Sequence, residues 1–201
     1  MAERSYHHGN LREALLDAAL ERLETASSAG LSLRELARDV GVSHAAPRQH
    51  FADKQALLDA LTIRGLQLMR EKFETALPPG EMTFQDRLTA FATAYVEFAT
   101  TRPELLAVVF ARKDRDGATE LQLASQQTFQ LPSAIIAEAQ ADGTIDDSDP
   151  DRVAMAVLVV LHGLAITAQA GMLGDRRIDT VIAGTVETLI NGLKPRKRSD
   201  S

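Results

Sequence analysis

SLRELARDVGVSHAAPRQHFADK, residues Ser32 to Lys54, combines two helix starts with one forced stop. Ser32 followed by Glu35 has the spacing of a capping box, which predicts a helix from Leu33. Leu33, Leu36, Ala37 and Val40 then fall at i, i+3, i+4 and i+7, one apolar face of a short helix. Gly41 stands where that helix has to end, because glycine enters the left-handed region without a Cβ clash. Ser43 can cap a second helix immediately afterwards. Two short helices joined by a tight glycine turn make a helix-turn-helix, a motif whose second helix enters a DNA major groove.

Outward from this stretch nearly everything reads as helix. Before it, Leu16, Ala19, Leu20 and Leu23 give a first helix its buried stripe. After it, a helix is expected from about Asp53 to Leu77, stopped by Pro78-Pro79-Gly80. Thr83 with Asp86 suggests a further cap, followed by Leu88, Phe91, Ala92, Tyr95, Phe98 and Ala99 at helical spacing. Pro103 suits the first turn of the next helix. A helix over about Thr119–Ala141 contains Pro132, which is expected to kink or split it. Asp149-Pro150 reads as cap plus first helical residue. From Val153 to Ala168 the chain is apolar except for His162, Gly163 and Thr167. A bilayer span needs ~20 such residues, so this reads as a helix buried on all sides, one face on its own core and another on a second subunit. Ile178, Val181, Ile182, Thr185, Val186 and Leu189 mark the last helix. The basic run Lys194–Arg198 opens a tail, 194–201, expected to be disordered.

Composition narrows the function. The chain has 201 residues, 45 % of them hydrophobic, enough for a core. It has no cysteine, hence no disulfide or thiolate metal site. The first twenty residues carry charges at Glu3, Arg4, Arg12, Glu13 and Asp17, so no secretory signal is expected and the cytoplasm is the expected location. No strand-turn-helix serine elbow and no glycine-rich phosphate loop is present, so an enzyme is not expected, and no cofactor is. His7-His8 lacks a third metal ligand. Net charge is −6, with seven basic and eight acidic residues in 1–54. DNA affinity would therefore come from one locally basic face, with the acidic remainder held off the duplex.

Together these residues resemble a known family. A first helix, then SLRELARDVGVSxxxPxxHFxDKxxLL, then an all-helical body is similar to the TetR family of transcriptional regulators. The Gly-Val-Ser turn, His50-Phe51 and the lysine three residues after Phe51 carry the resemblance. Tyr6 to Asn10 and His162-Gly163 resemble the branch with a WHG-type C-terminal domain, although Leu158 stands where that branch has tryptophan. The resemblance implies an all-α fold: a three-helix helix-turn-helix domain over 1–54, then a helical ligand-binding and dimerisation bundle over 55–193. It implies a homodimer formed by the last two helices, a roughly palindromic double-stranded DNA operator, a small ligand in the body, and repression. A helical dimer that binds protein partners through a degenerate head is the alternative. No membrane association is expected.

Geometry of the motif distributes the roles. Ser43, His44, Ala45 and Gln49 are candidates for base edges, Gln49 towards adenine and Ala45 towards a thymine methyl. Arg48, His50 and Lys54 are candidates for phosphates, with Ser32 and the N-terminus of the helix after Asp53. Arg48 occupies the position where the family usually has tyrosine, and its guanidinium suits either a phosphate or guanine O6 and N7. Phe51 is core in any reading, while His50 is either a phosphate contact or a buried structural residue. Phe91, Tyr95, Phe98, Phe110, Phe129 and His162 are candidate walls of a pocket for an apolar or amphipathic ligand. Core packing is the competing reading of the aromatic stripe, and a satisfied core histidine that of His162.

Overall fold

The computed structural model describes residues 11–78, 80–112 and 118–194. Its described residues are helical throughout, without strands: α1 (Leu11–Leu23), α2 (Leu33–Val40), α3 (Lys54–Ala76), α4 (Phe84–Thr101), α5 (Pro103–Arg112), α6 (Thr119–Ala141), α7 (Pro150–Gln169) and α8 (Ile178–Leu193). Contacts divide the chain into two units. The first joins Met1–Leu66 to Arg102–Ser125, the second Gln67–Thr101 to Gln126–Ser201. The divisions fall inside α3 and α6 and between α4 and α5. His7-His8 and the segment 195–201 lie outside the described residues.

In the first unit α1 packs on α2 through Leu15, Leu16, Ala19 and Leu23, with Leu36 and Ala37 buried opposite. Ser32 caps α2 as expected, its Oγ accepting from Glu35 N at 3.2 Å. Only half of the capping box forms, because the Glu35 carboxylate turns to Arg22 of α1 instead. Gly41 stops α2 at φ 77°, ψ 29°, and the N–H groups of Gly41 and Val42 fold back on the carbonyls of Arg38 and Ala37.

Beyond this turn the chain departs from the expected second helix. Ala46–Gln49 forms a single 3-10 turn, and Ser43 contributes its backbone carbonyl to Ala46 N rather than a side-chain cap. Pro47 has no N–H to donate, so an α-helix capped by Ser43 would lack its first i→i−4 hydrogen bond there. The Pro47 carbonyl accepts from both His50 N and Phe51 N, at 3.0 and 2.9 Å. Pro47 and Phe51 are buried, so the turn is pinned at both ends by apolar contacts. Asp53 then caps α3, its carboxylate accepting from Ala56 N at 2.9 Å.

In the second unit α4 packs against α7 and α8. Leu88, Phe91, Ala92, Tyr95, Phe98 and Ala99 are all buried, as their spacing predicts. Thr83 caps α4, accepting from Asp86 N at 3.1 Å, and Asp149 caps α7, accepting from Asp151 N at 3.0 Å. Pro132 does not split α6, which runs unbroken through it. Helix α7 is twenty residues long, and by length and composition could cross a membrane. It is not buried on all sides within this chain. Val153, Val157, Leu161, Leu164 and Ala165 face the core, while Met155, Val159 and Ile166 are more than half exposed.

Candidate nucleic-acid interface

The turn after α2 presents its polar side chains outward. Ser43, His44, Ala45, Arg48, Gln49 and His50 are all exposed, while Pro47 and Phe51 between and beside them point into the core. The alternative of a buried His50 is therefore not what the structure shows. Phe51 also sits under a cation, with the Arg12 guanidinium carbon 5.5 Å from its ring centroid. Ser32 and Lys54 are half-buried and already partnered: Ser32 Oγ holds the α2 cap, and Lys54 Nζ donates to the Ala29 carbonyl at 2.7 Å.

Charge is sorted by side. Arg22 lies between α1 and α2 and forks onto the Asp39 carboxylate through Nε and Nη2, the latter at 3.1 Å, while its Nη1 reaches Glu35 at 3.1 Å. Both acidic residues of α2 are thereby drawn to the α1 side. Arg34 and Arg38, at i and i+4 of α2, are left exposed and make no ion pair among the described residues. Asp17 and Glu21 are exposed on α1 at i and i+4, opposite its buried Leu15, Ala19 and Leu23, and Glu24 is exposed just past its end. The head is close to neutral as a whole and strongly polar by side. Sequence reasoning missed Arg34 and Arg38. Their i, i+4 spacing was the available signal; what hid it was the alternation with Glu35 and Asp39, whose charges Arg22 occupies.

The candidate ligand residues behave differently. Tyr95 OH lies 2.9 Å from His162 Nδ1, and its ring stands 6.4 Å from Phe91 and 6.5 Å from His162 between centroids. Burial pushes the Tyr95 hydroxyl well above its usual range, so it stays protonated. His162 is a partnered histidine at the edge of the core, the competing reading of that residue. Phe98 is buried and Phe129 is half-buried on α6, whereas Phe110 is half-buried and belongs to the first unit. An open groove of about 610 Å³ between α3 and α4 is lined by Glu71, Lys72, Thr93 and Glu97 with alanines beneath, and includes none of the six.

Similarity to known proteins agrees with this architecture. The family described as "Tetracyclin repressor-like, C-terminal domain" matches residues 88–192, more than half of the chain, and "Bacterial regulatory proteins, tetR family" matches residues 15–61. The chain belongs to the TetR family. The class D tetracycline repressor protein of Escherichia coli is 28 % identical over 135 residues, which are 63 % of this chain and 59 % of that protein. The chain thus matches less than two thirds of the length of its curated relatives. A solved structure of a protein of unknown function from Rhodococcus sp. RHA1 is 41 % identical, covers 96 % of this chain and 100 % of that one, and has a TM-score of 0.86. A tetR-family regulatory protein from Rhodococcus RHA1, 19 % identical, covers 94 % of this chain and 99 % of its own with a TM-score of 0.70, and shares the fold.

The Arg22 cluster has a pH signature. The hydrogen bond from Arg22, helped by the Arg22 and Arg38 charges, holds the Asp39 carboxyl below the usual carboxylate range, against a smaller opposing effect of burial. A depressed folded value stabilises the fold above the unfolded value of about 4, and the stabilisation fades as pH falls through the folded value. Asp39→Asn should therefore lower the melting temperature at neutral pH. The gap to the unsubstituted protein should shrink between about pH 5 and pH 3, as circular dichroism melts would read. A gap independent of pH would remove Asp39 from the cluster's energetics.

Proposed function

We propose that the chain is a ligand-responsive repressor that binds a palindromic DNA operator as a homodimer in the cytoplasm. The observation that carries this reading is the outward ridge of Ser43, His44, Ala45, Arg48, Gln49 and His50 on a turn pinned from beneath by Pro47 and Phe51. A rigid base with exposed hydrogen-bonding groups is what base-edge reading requires. Residues 1–54 are assigned the DNA contacts, and the ligand-binding and dimerisation roles are assigned within 55–193, in the second unit.

Ser43, His44, Ala45 and Gln49 are assigned to base edges and Arg48 to a guanine or an adjacent phosphate. His50, Lys54 and Ser32 are assigned to phosphates. Lys54 keeps two N–H donors beyond the one given to Ala29, and Ser32 keeps its O–H. Arg34 and Arg38 extend the basic side, and the acidic stripe of α1 faces elsewhere. This sorting answers the near-neutral charge of the head, because field at the contact face rather than net charge draws phosphate.

The exposed Met155, Val159 and Ile166 recur along one side of α7 with Gly163 between them, and this side is assigned to the second subunit. Two heads related by a two-fold axis then require two half-sites in successive major-groove faces. A small apolar or amphipathic ligand is assigned to the second unit, near the Phe91, Tyr95, Phe98, Phe129 and His162 side chains. A ligand that favours a conformation poorly matched to DNA weakens operator binding, and DNA weakens ligand binding by the same factor.

Fluorescence anisotropy on an operator duplex across a salt series separates these roles. Lys54→Ala should weaken all sequences alike and flatten the salt slope by ~1, and an unchanged slope would take Lys54 off the phosphates. Gln49→Ala should relax preference at one operator position, whereas uniform weakening would reassign it to the backbone. Arg48→Tyr should alter one position if Arg48 reads guanine, and retained preference would leave it a phosphate clamp.

The subunit contact is tested separately. Ile166→Glu would place an unpaired carboxylate from each subunit in an apolar contact, and should weaken self-association by at least ~100-fold in sedimentation equilibrium. Unchanged association would move the interface off this side of α7.

A further inference from the structure

Helix α5 lies directly on the backbone of α3. A Cβ built on Gly65 would come within 2.6 Å of Val109 Cγ2 and 3.2 Å of Leu105 Cδ1, so only glycine permits this crossing as it stands. At the end of α5, the Arg112 guanidinium wraps onto the first two turns of α3. Its Nε lies 3.1 Å from Asp59 Oδ1, which Nη2 also contacts, and its Nη1 donates to Gln55 Oε1 at 2.7 Å. The ion pair is more enclosed than those of Arg22, with the two side chains 14 % and 19 % exposed. Residues 59 and 65 are about 120° apart around a helix. The two contacts therefore resist rolling of α3 as well as sliding.

We infer that α5 is part of the DNA-reading unit and that Arg112 is a positioning residue for the recognition turn. This rests on the proposed operator binding and names how that site is held. Gln55 immediately follows the Asp53 cap and Lys54, whose ammonium ties α3 to Ala29, and Asp59 lies one helical turn further on. Phe51 and Pro47 connect that first turn to the exposed ridge. Removing Arg112 takes a bidentate cation from the enclosed Asp59 carboxylate and its donor from the Gln55 amide, which loosens the start of α3. Arg112 itself contacts no residue of the ridge, so its effect is on geometry and not on charge at the DNA.

The test combines hydrogen exchange with DNA binding. Arg112→Gln should raise amide exchange across residues 54–60 about tenfold. It should weaken binding to the duplex that the unmodified protein selects by about tenfold, with the salt slope unchanged. Arg112→Lys, which keeps the charge and loses the fork, should fall between. Exchanging the pair, Arg112→Asp with Asp59→Arg, should recover most of both effects. A flattened salt slope would make Arg112 a phosphate ligand and overturn the inference, as would unchanged exchange in both single variants. If Arg112→Gln fails to fold, Arg112→Lys and Gln55→Ala decide by the same exchange readout. If the unmodified protein selects no duplex, operator binding fails as a reading, while exchange at 54–60 still decides the clamp.

Discussion

One guanidinium, that of Arg22, sets the character of the head. By taking both carboxylates of α2 it ties α1 to α2, on a face about 100° around the helix from Arg34 and Arg38. Exposed ion pairs contribute little stability individually, about 0–1 kcal/mol. The value of this one lies in where it directs charge. The helix that ends at Gly41 and the turn pinned by Pro47 and Phe51 then present the neighbouring ridge on the same compact unit.

Legibility in the sequence followed the range of the chemistry. Ser32, Gly41, Thr83 and Asp149 act within three residues of themselves, and each appears in the structure where local rules put it. The buried face of α4 was equally readable, because one helix's periodicity needs no partner to be known. The recognition element differs in form from its local signals. The Ser43 cap and the motif predicted a second α-helix, and one 3-10 turn containing Pro47 forms instead. Pro132 shows the opposite outcome, since α6 continues through it. The Arg112 clamp was illegible because it joins residues more than fifty positions apart. So was the destination of Glu35, whose capping-box role was replaced by a partner on another helix.

Helix α7 illustrates what composition alone conveys. A stretch apolar on all sides must be covered on all sides, and the chain covers only one. The remaining stripe is what a symmetric subunit contact would use in a TetR-family protein. His162 lies close to that stripe on α7, yet its ring nitrogen is engaged by Tyr95. A polar pair of this kind ties α4 to α7 within the second unit. Phe73 meets Phe91 edge to face, Phe91 meets Tyr95 at a tilt, and Tyr95 meets His162 edge to face.

Selection of random duplex DNA on the purified chain tests operator binding most directly. A two-fold symmetric consensus, with half-sites one helical turn apart or a multiple of it, is the expected result. It would report sequence reading, subunit symmetry and head spacing together. Enrichment of no sequence, with retention insensitive to salt, would contradict DNA recognition by this head.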